Sequence, residues 1–228
     1  MIDVERMKME IGERLEEMQQ LFSKKKSILS PERSLQRAFA LARAIAVSHE
    51  VRDTYKEGHQ FRVADLARAI GEKMNLDKNR ITGLRLAGLI HDIGKIDVPG
   101  AILNKEMRLD ENESRMMQTH VEIGHNMVKG IRFPWPVARM IWEHHERMDG
   151  SGYPRGLKGK RILLESRILG VADVVDAITS PRAYRPAREV HVAIYSMKGD
   201  RGNLFDQDVV DACLHVFDVQ GYRMLEMD

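Results

Sequence analysis

Leu89-Ile90-His91-Asp92-Ile93-Gly94-Lys95 is the stretch around which the chain is organised. An apolar helical run (Leu84, Leu86, Ala87, Leu89, Ile90) ends abruptly in an imidazole, a carboxylate and, after one glycine, an ammonium. A neutral imidazole and a carboxylate can share a divalent metal. A nearby lysine can hold a phosphate oxygen or supply a proton. The same seven residues also read as a helix C-terminus capped by Gly94, with His91 and Asp92 solvated. The surrounding chain has to decide between the two.

Outward from this stretch the pattern is helical. Residues 1–26 place apolar side chains at Val4, Met7, Ile11, Leu15, Met18 and Phe22, with charged residues filling most other positions. So narrow a stripe resembles a coiled-coil seam, which predicts a dimerising or signal-transmitting helix. The other reading is a helix lying along its own domain. Ser30-Pro31-Glu32 is a helix start, with Ser30 as N-cap and Pro31 at the first helical position. Further helices are expected over about 59–74, from Asp77 into the central stretch, from an Asp110 N-cap to His120, over 137–147, over 165–179, and near 188–198 and 206–218. Residues 148–160 hold too many glycines for regular structure. No alternating strand and no repeat is evident, so the class is all-α and bundle-like.

Composition narrows the function classes. The 228 residues are 43% hydrophobic and 31% charged, which suits a globular chain with a substantial core. Net charge is +2, so there is no broad electrostatic signature of nucleic-acid binding. The single cysteine, Cys213, excludes an internal disulfide and fits a reducing cytoplasm. No apolar run reaches the roughly 18–20 residues that span a bilayer, and the first residues lack a signal-peptide core, so no membrane insertion is expected.

His59, His91-Asp92, His120, His144-His145 and Asp173 sit at predicted helix ends or inside apolar patterns. His49, His125, His191 and His215 lack such surroundings. Adjacent helical residues point about 100° apart, so a His-Asp or His-His pair can address two metals or two sides of one. Two pairs and three singles exceed the needs of one tetrahedral site. That count points to two metals with Asp92 as the natural bridge. Nitrogen and oxygen donors without thiolate suit Fe, Mn, Zn, Co or Ni. Two metals roughly 3.5–4 Å apart are a device for phosphoryl hydrolysis.

His91-Asp92-Ile93-Gly94-Lys95, followed by His144-His145-Glu146-Arg147-Met148-Asp149-Gly150-Ser151-Gly152-Tyr153-Pro154, resembles the HD-GYP domain, a subgroup of the HD-superfamily phosphohydrolases. Arg52-Asp53-Thr54-Tyr55, Gly58-His59, Leu103-Asn104-Lys105, His120 with Gly124, Arg167 through Asp173, Arg182-Ala183-Tyr184-Arg185 and Phe205-Asp206 follow in the family's order. The match covers about residues 45–218. It divides the chain into an N-terminal signalling or dimerisation segment, 1–44, and a catalytic domain, 45–228.

The resemblance implies an HD-superfamily helical bundle and a phosphodiesterase that hydrolyses cyclic di-GMP to linear pGpG, with GMP as the alternative end product. One metal would take His59, His91, Asp92 and Asp173; the other would take Asp92, His120, His144 and His145. Fe or Mn come first, with Zn, Co or Ni as alternatives. Lys95 would contact the scissile phosphate. Arg182 and Arg185 would bind phosphate, and Tyr153 would shape the pocket. Tyr55 stands where some members carry a Glu that binds a third metal, so two metals are expected. Ala183 replaces the family's usual Pro, and Pro181 precedes Arg182. Expected partners are cyclic di-GMP, a diguanylate cyclase or sensory domain, and a second copy of the chain through the N-terminal helix. Two competing readings are another HD-type nucleotide phosphohydrolase and a non-catalytic module that binds a cyclic dinucleotide or a partner.

Overall fold

A computed structural model describes residues 3–23, 29–52, 58–180 and 189–225. Among them the regular structure is helical: α1 (Val4–Leu21), α2 (Pro31–Glu50), α3 (His59–Lys73), α4 (Lys78–Ile90), α5 (Gly100–Leu103), α6 (Glu111–Gln118), α7 (His120–Val128), α8 (Val137–Glu143), α9 (Leu164–Thr179), α10 (Val190–Asp200) and α11 (Gln207–Asp218). A 3₁₀ segment, Ile93–Asp97, follows α4, and a 3₁₀ turn, Gly159–Arg161, precedes α9. An isolated bridge between Arg201 and Phe205 is the one β-type pairing among the described residues.

The expected caps form. Asp77 accepts from Arg80 N at 2.9 Å and Ser30 Oγ from Arg33 N at 3.3 Å. Asp110 and Glu113 close a reciprocal capping box. Three expected boundaries move. The helix starting at Asp110 breaks at Thr119, so His120 opens α7 instead of ending α6. The 137–147 helix stops at Glu143, leaving His144 as its C-cap and His145 beyond it. The first helix ends at Leu21, with Phe22 as C-cap.

The core is one continuous cluster built around α3, which packs between α4 and α9. The α3–α4 crossing is close: a Cβ on Gly88 would lie 2.7 Å from the Ala64 Cα. Such closeness lets two helices bring their ends, His59 and His91, to one point. α10 and α11 cover α9 and α3; α8 lies against α4, α7 and α9; α7 lies against the 3₁₀ segment.

α1 turns its apolar stripe inward. Ile11, Leu15 and Met18 are buried in the same cluster as Leu41 and Ala42 of α2, and Phe22 packs on Phe133 and Trp135. Arg37 bridges to Glu17 at 2.6 Å, and Arg14 donates to Ser48 Oγ. The seam read as a dimerising surface is therefore filled by the chain's own α2. The boundary drawn between residues 44 and 45 falls inside α2, whose residues on both sides of it enter this core.

Candidate metal centre

Five helices and the 3₁₀ segment converge on one buried spot. His59 is the first residue of α3, and His91 is the C-cap of α4. Asp92 lies between α4 and the 3₁₀ segment, which carries Lys95. His120 is the first residue of α7, and His144 and His145 follow α8. Asp173 projects from the middle of α9. Helix ends serve here because a terminal residue can aim its side chain along the helix axis, toward the common centre.

The seven side chains fall into two groups, Asp92 with His120, His144 and His145, and His59 with His91 and Asp173. Within each group, one donor atom from every residue lies within 4.8 Å of the others. Asp92 faces both groups. Its Oδ1 is 3.4 Å from His120 Nε2, and its Oδ2 is 3.5 Å from His59 Nε2 and 3.7 Å from His91 Nε2. The imidazole rings form a chain, with centroids 5.2 Å apart for His59–His91, 5.1 Å for His91–His144 and 4.1 Å for His144–His145.

The donor set fits divalent metal ions. His91, His120 and His144 each turn Nδ1 to the carbonyl three residues upstream, of Gly88, Met117 and Ile141, at 2.7 Å each. A carbonyl only accepts, so Nδ1 carries the proton and Nε2 presents its lone pair. All three Nε2 atoms are buried without a hydrogen-bond partner. Leaving a buried polar atom unsatisfied costs about 1–3 kcal/mol. Three in one cavity point to a ligand. Burial pushes His91 down to about 3 and holds His120, His144 and His145 below the ordinary imidazole range. All four are thus neutral at pH 7, the form a metal requires.

Lys95 Nζ bonds to Asp92 Oδ2, and its side chain is nearly buried. The turn behind it is held by Arg52, a buried guanidinium that donates to the carbonyls of Lys95, Ile96 and Val98. Tyr153 stacks on His145, with centroids 4.8 Å apart and planes 28° apart. Two buried carboxylates pin its loop. Glu146 accepts from the nitrogens of Arg155 and Leu157 at 2.8 Å, and Glu143 accepts from Leu163 N at 2.8 Å and from the Arg155 side chain. Asp149 makes a local turn with Ser151 at the surface. Arg182 and Arg185 lie outside the described residues, as do Tyr55, Pro181 and Ala183. His125 stands apart, stacked on Trp142. Trp142 is half-buried between His125 and Arg155.

Sequence reading missed two supporting carboxylates. Asp176 accepts from His59 Nδ1 at 2.6 Å and pairs with Arg62. Burial opposes its charge, but these two partners outweigh burial and hold the carboxyl near 2. Its signal was faint: an acid one helical turn beyond Asp173. Glu50 accepts from the nitrogens of Gly58 and Gln60, capping α3 from α2 because Gly58 has no side chain to do so.

The HD domain family model matches residues 16–209. The cyclic di-GMP phosphodiesterase response regulator RpfG of Xanthomonas campestris pv. campestris is 39% identical over 185 residues, 80% of this chain and 48% of that protein. A cyclic di-GMP phosphodiesterase of Thermotoga maritima is 35% identical over 178 residues, 77% of this chain and 48% of that protein. The 3'3'-cGAMP-specific phosphodiesterase 3 of Vibrio cholerae is 38% identical over 160 residues, 70% of this chain and 35% of that protein. The chain thus spans about half the length, or less, of these relatives. Among solved structures, the HDG"Y"P protein Bd1817 of Bdellovibrio bacteriovorus superposes with a TM-score of 0.62 at 17% identity, covering 94% of this chain and 72% of that one, a likeness of fold.

Proposed function

The chain belongs to the HD-domain family and carries its HD-GYP motifs, and from that premise we propose that it is a metal-dependent phosphodiesterase that opens cyclic di-GMP to linear pGpG. The observation that carries the reading is the trio of buried, unpartnered Nε2 atoms on His91, His120 and His144 beside Asp92 and Asp173.

In this reading His59, His91, Asp92 and Asp173 hold one divalent ion, and Asp92, His120, His144 and His145 hold a second. Fe or Mn suit these donors first, and Zn, Co or Ni also match a set without thiolate. When bound, the pair supplies Lewis-acid polarisation of the phosphoryl group and an acidified water. The chain's own residues do the rest. Asp92 divides its oxygens between the two imidazole groups and keeps the two positions in register. Lys95, already beside Asp92, swings its ammonium to a non-bridging phosphate oxygen when substrate enters. Tyr153, fixed on His145, forms one wall for the dinucleotide. Arg182 and Arg185 supply guanidinium groups suited to phosphate.

Among the described residues, no helix is long and apolar enough to cross a membrane. A cytoplasmic site of action is the corresponding proposal. Residues 1–44 would receive a sensory domain or a diguanylate cyclase partner. A homodimer through α1 would have to use its outer face, where Met9 is exposed.

The test is product identification. Chain loaded with Mn²⁺ or Fe²⁺ should convert cyclic di-GMP to linear pGpG, resolved by anion exchange, and Asp92→Ala should not. A second reading, 3'3'-cGAMP as the preferred substrate, is favoured by the Vibrio cholerae relative and is decided by running both substrates side by side. Intact cyclic dinucleotides with metal-loaded protein would leave the partner-binding module, with the Tyr153 loop as its surface.

A further inference from the structure

His59 is held differently from the other imidazoles of the centre. His91, His120 and His144 each rest on the backbone carbonyl three residues upstream. His59 instead turns Nδ1 to a side chain, Asp176 Oδ2, 117 residues further along the chain and 2.6 Å away. Asp176 is fully buried. Its other oxygen, Oδ1, accepts from Arg62 Nε at 2.5 Å. Arg62 Nη2 continues to Ser180 Oγ at 3.0 Å, and Ser180 Oγ lies 3.3 Å from Asp176 Oδ2. Ser180 immediately precedes the segment that contains Arg182 and Arg185.

We propose that Asp176 is a positioning residue that fixes His59 in the tautomer offering Nε2 to a divalent cation and, through Arg62 and Ser180, ties that ligand to the root of the Arg182–Arg185 segment. The inference rests on the metal-centre reading above. With Oδ1 accepting from the Arg62 guanidinium, Asp176 serves as an acceptor on both oxygens, so the proton between the two groups sits on Nδ1 and the lone pair on Nε2. Unlike the neutral carbonyls behind His91, His120 and His144, a carboxylate also adds negative charge, which strengthens the ring as a donor to a cation. The two halves of the centre are therefore unequal, and the half containing His59 depends on Asp176. In Asp176→Asn the amide can turn its NH₂ toward Nδ1. That arrangement moves the imidazole proton to Nε2 and blocks the donor.

The experiment titrates the metal-free full chain with Mn²⁺ and follows the free-ion signal by electron paramagnetic resonance, with melting of the metal-free proteins alongside. Wild type should take two Mn²⁺. Asp176→Asn should keep one binding step unchanged and weaken the other about 10–100-fold, the range seen when a partner behind a ligating His is removed. Arg62→Gln should weaken the same step by a smaller factor, and the double variant should be no weaker than Asp176→Asn, because both act through one contact. If Asp176→Asn does not fold, Arg62→Gln carries the test by itself. Two unchanged steps in a variant overturn the inference while the metal centre stands. Equal weakening of both steps with a lowered metal-free melting point makes Asp176 merely structural and also overturns it. A wild-type chain that takes no Mn²⁺ removes the metal centre itself.

Discussion

Gly94 presses against the backbone carbonyl of His120: a Cβ on Gly94 would fall 2.0 Å from that oxygen and 2.5 Å from the Gly124 nitrogen. One of the two readings of the sequence made Gly94 a helix cap. In the structure α4 has already ended, at Ile90, and Gly94 is the point where the turn carrying Asp92 meets the start of α7. Backbone atoms cannot swing aside, so Gly94→Ala should cost about 3 kcal/mol or more in urea unfolding, the upper range for overpacking. It should also weaken Mn²⁺ binding, because it forces Asp92 and His120 apart.

Arg52 donates to three carbonyls of the Lys95–Val98 turn from a buried position. Hydrogen bonds to charged donors contribute about 1.5–3 kcal/mol each, and those made by one group do not add fully. Arg52→Ala should destabilise the chain by about 2–4 kcal/mol. Arg52→Lys should recover little of this, because an ammonium cannot reproduce the planar fork. Parallel urea melts of the two variants check both statements.

Met18 on α1 is fully buried. Met18→Ala should cost about 2–5 kcal/mol, as for other large-to-small core changes. If α1 served only to join two copies, the variant would dissociate without losing monomer stability. Light scattering combined with chemical unfolding separates these outcomes, and the burial predicts the loss of stability.

Metal removal gives a prediction about the whole fold. Ions that bind only the folded chain, at about 100 times their Kd, stabilise it by roughly 2.7 kcal/mol per site. For a chain of this size each kcal/mol moves Tm by about 2–4 °C. A chelator should therefore lower Tm by about 5–11 °C if one ion is lost, and re-addition of Mn²⁺ should restore it.

Cys213 is buried, and burial pushes its thiol up to about 12. A thiol-reactive probe at pH 8 should label it only after unfolding. The sign of the pH effect follows. The folded thiol holds its proton more tightly than the unfolded one, which titrates near 8.5. Its contribution to stability is complete below that pH and is lost as pH rises toward 12. Labelling rates with and without denaturant, and stability measured from pH 8 upward, are the checks.

The sequence by itself determined the helices, the helix-starting caps at Ser30, Asp77 and Asp110, and the cluster of seven His and Asp side chains. Those features are local: they follow from helical periodicity, from cap residues within three positions of their partners, and from short motifs whose spacing is written in the chain. Only the tertiary structure decided what each helix packs against. The stripe on α1 looked the same whether it faced a second copy or its own α2, because periodicity marks an apolar face without naming its partner. The glycine at 94 could be a cap or a close approach, and the distinction lay in an oxygen of His120, 26 residues away. Asp176 showed no sign of its part because its partner, His59, is 117 residues upstream. In the stretch from Leu89 to Lys95, the reading of His91 and Asp92 as solvated helix-end residues gives way to burial, with Asp92 between two groups of imidazoles. That outcome needed four helix ends to meet over the middle of α9, which long-range packing decides.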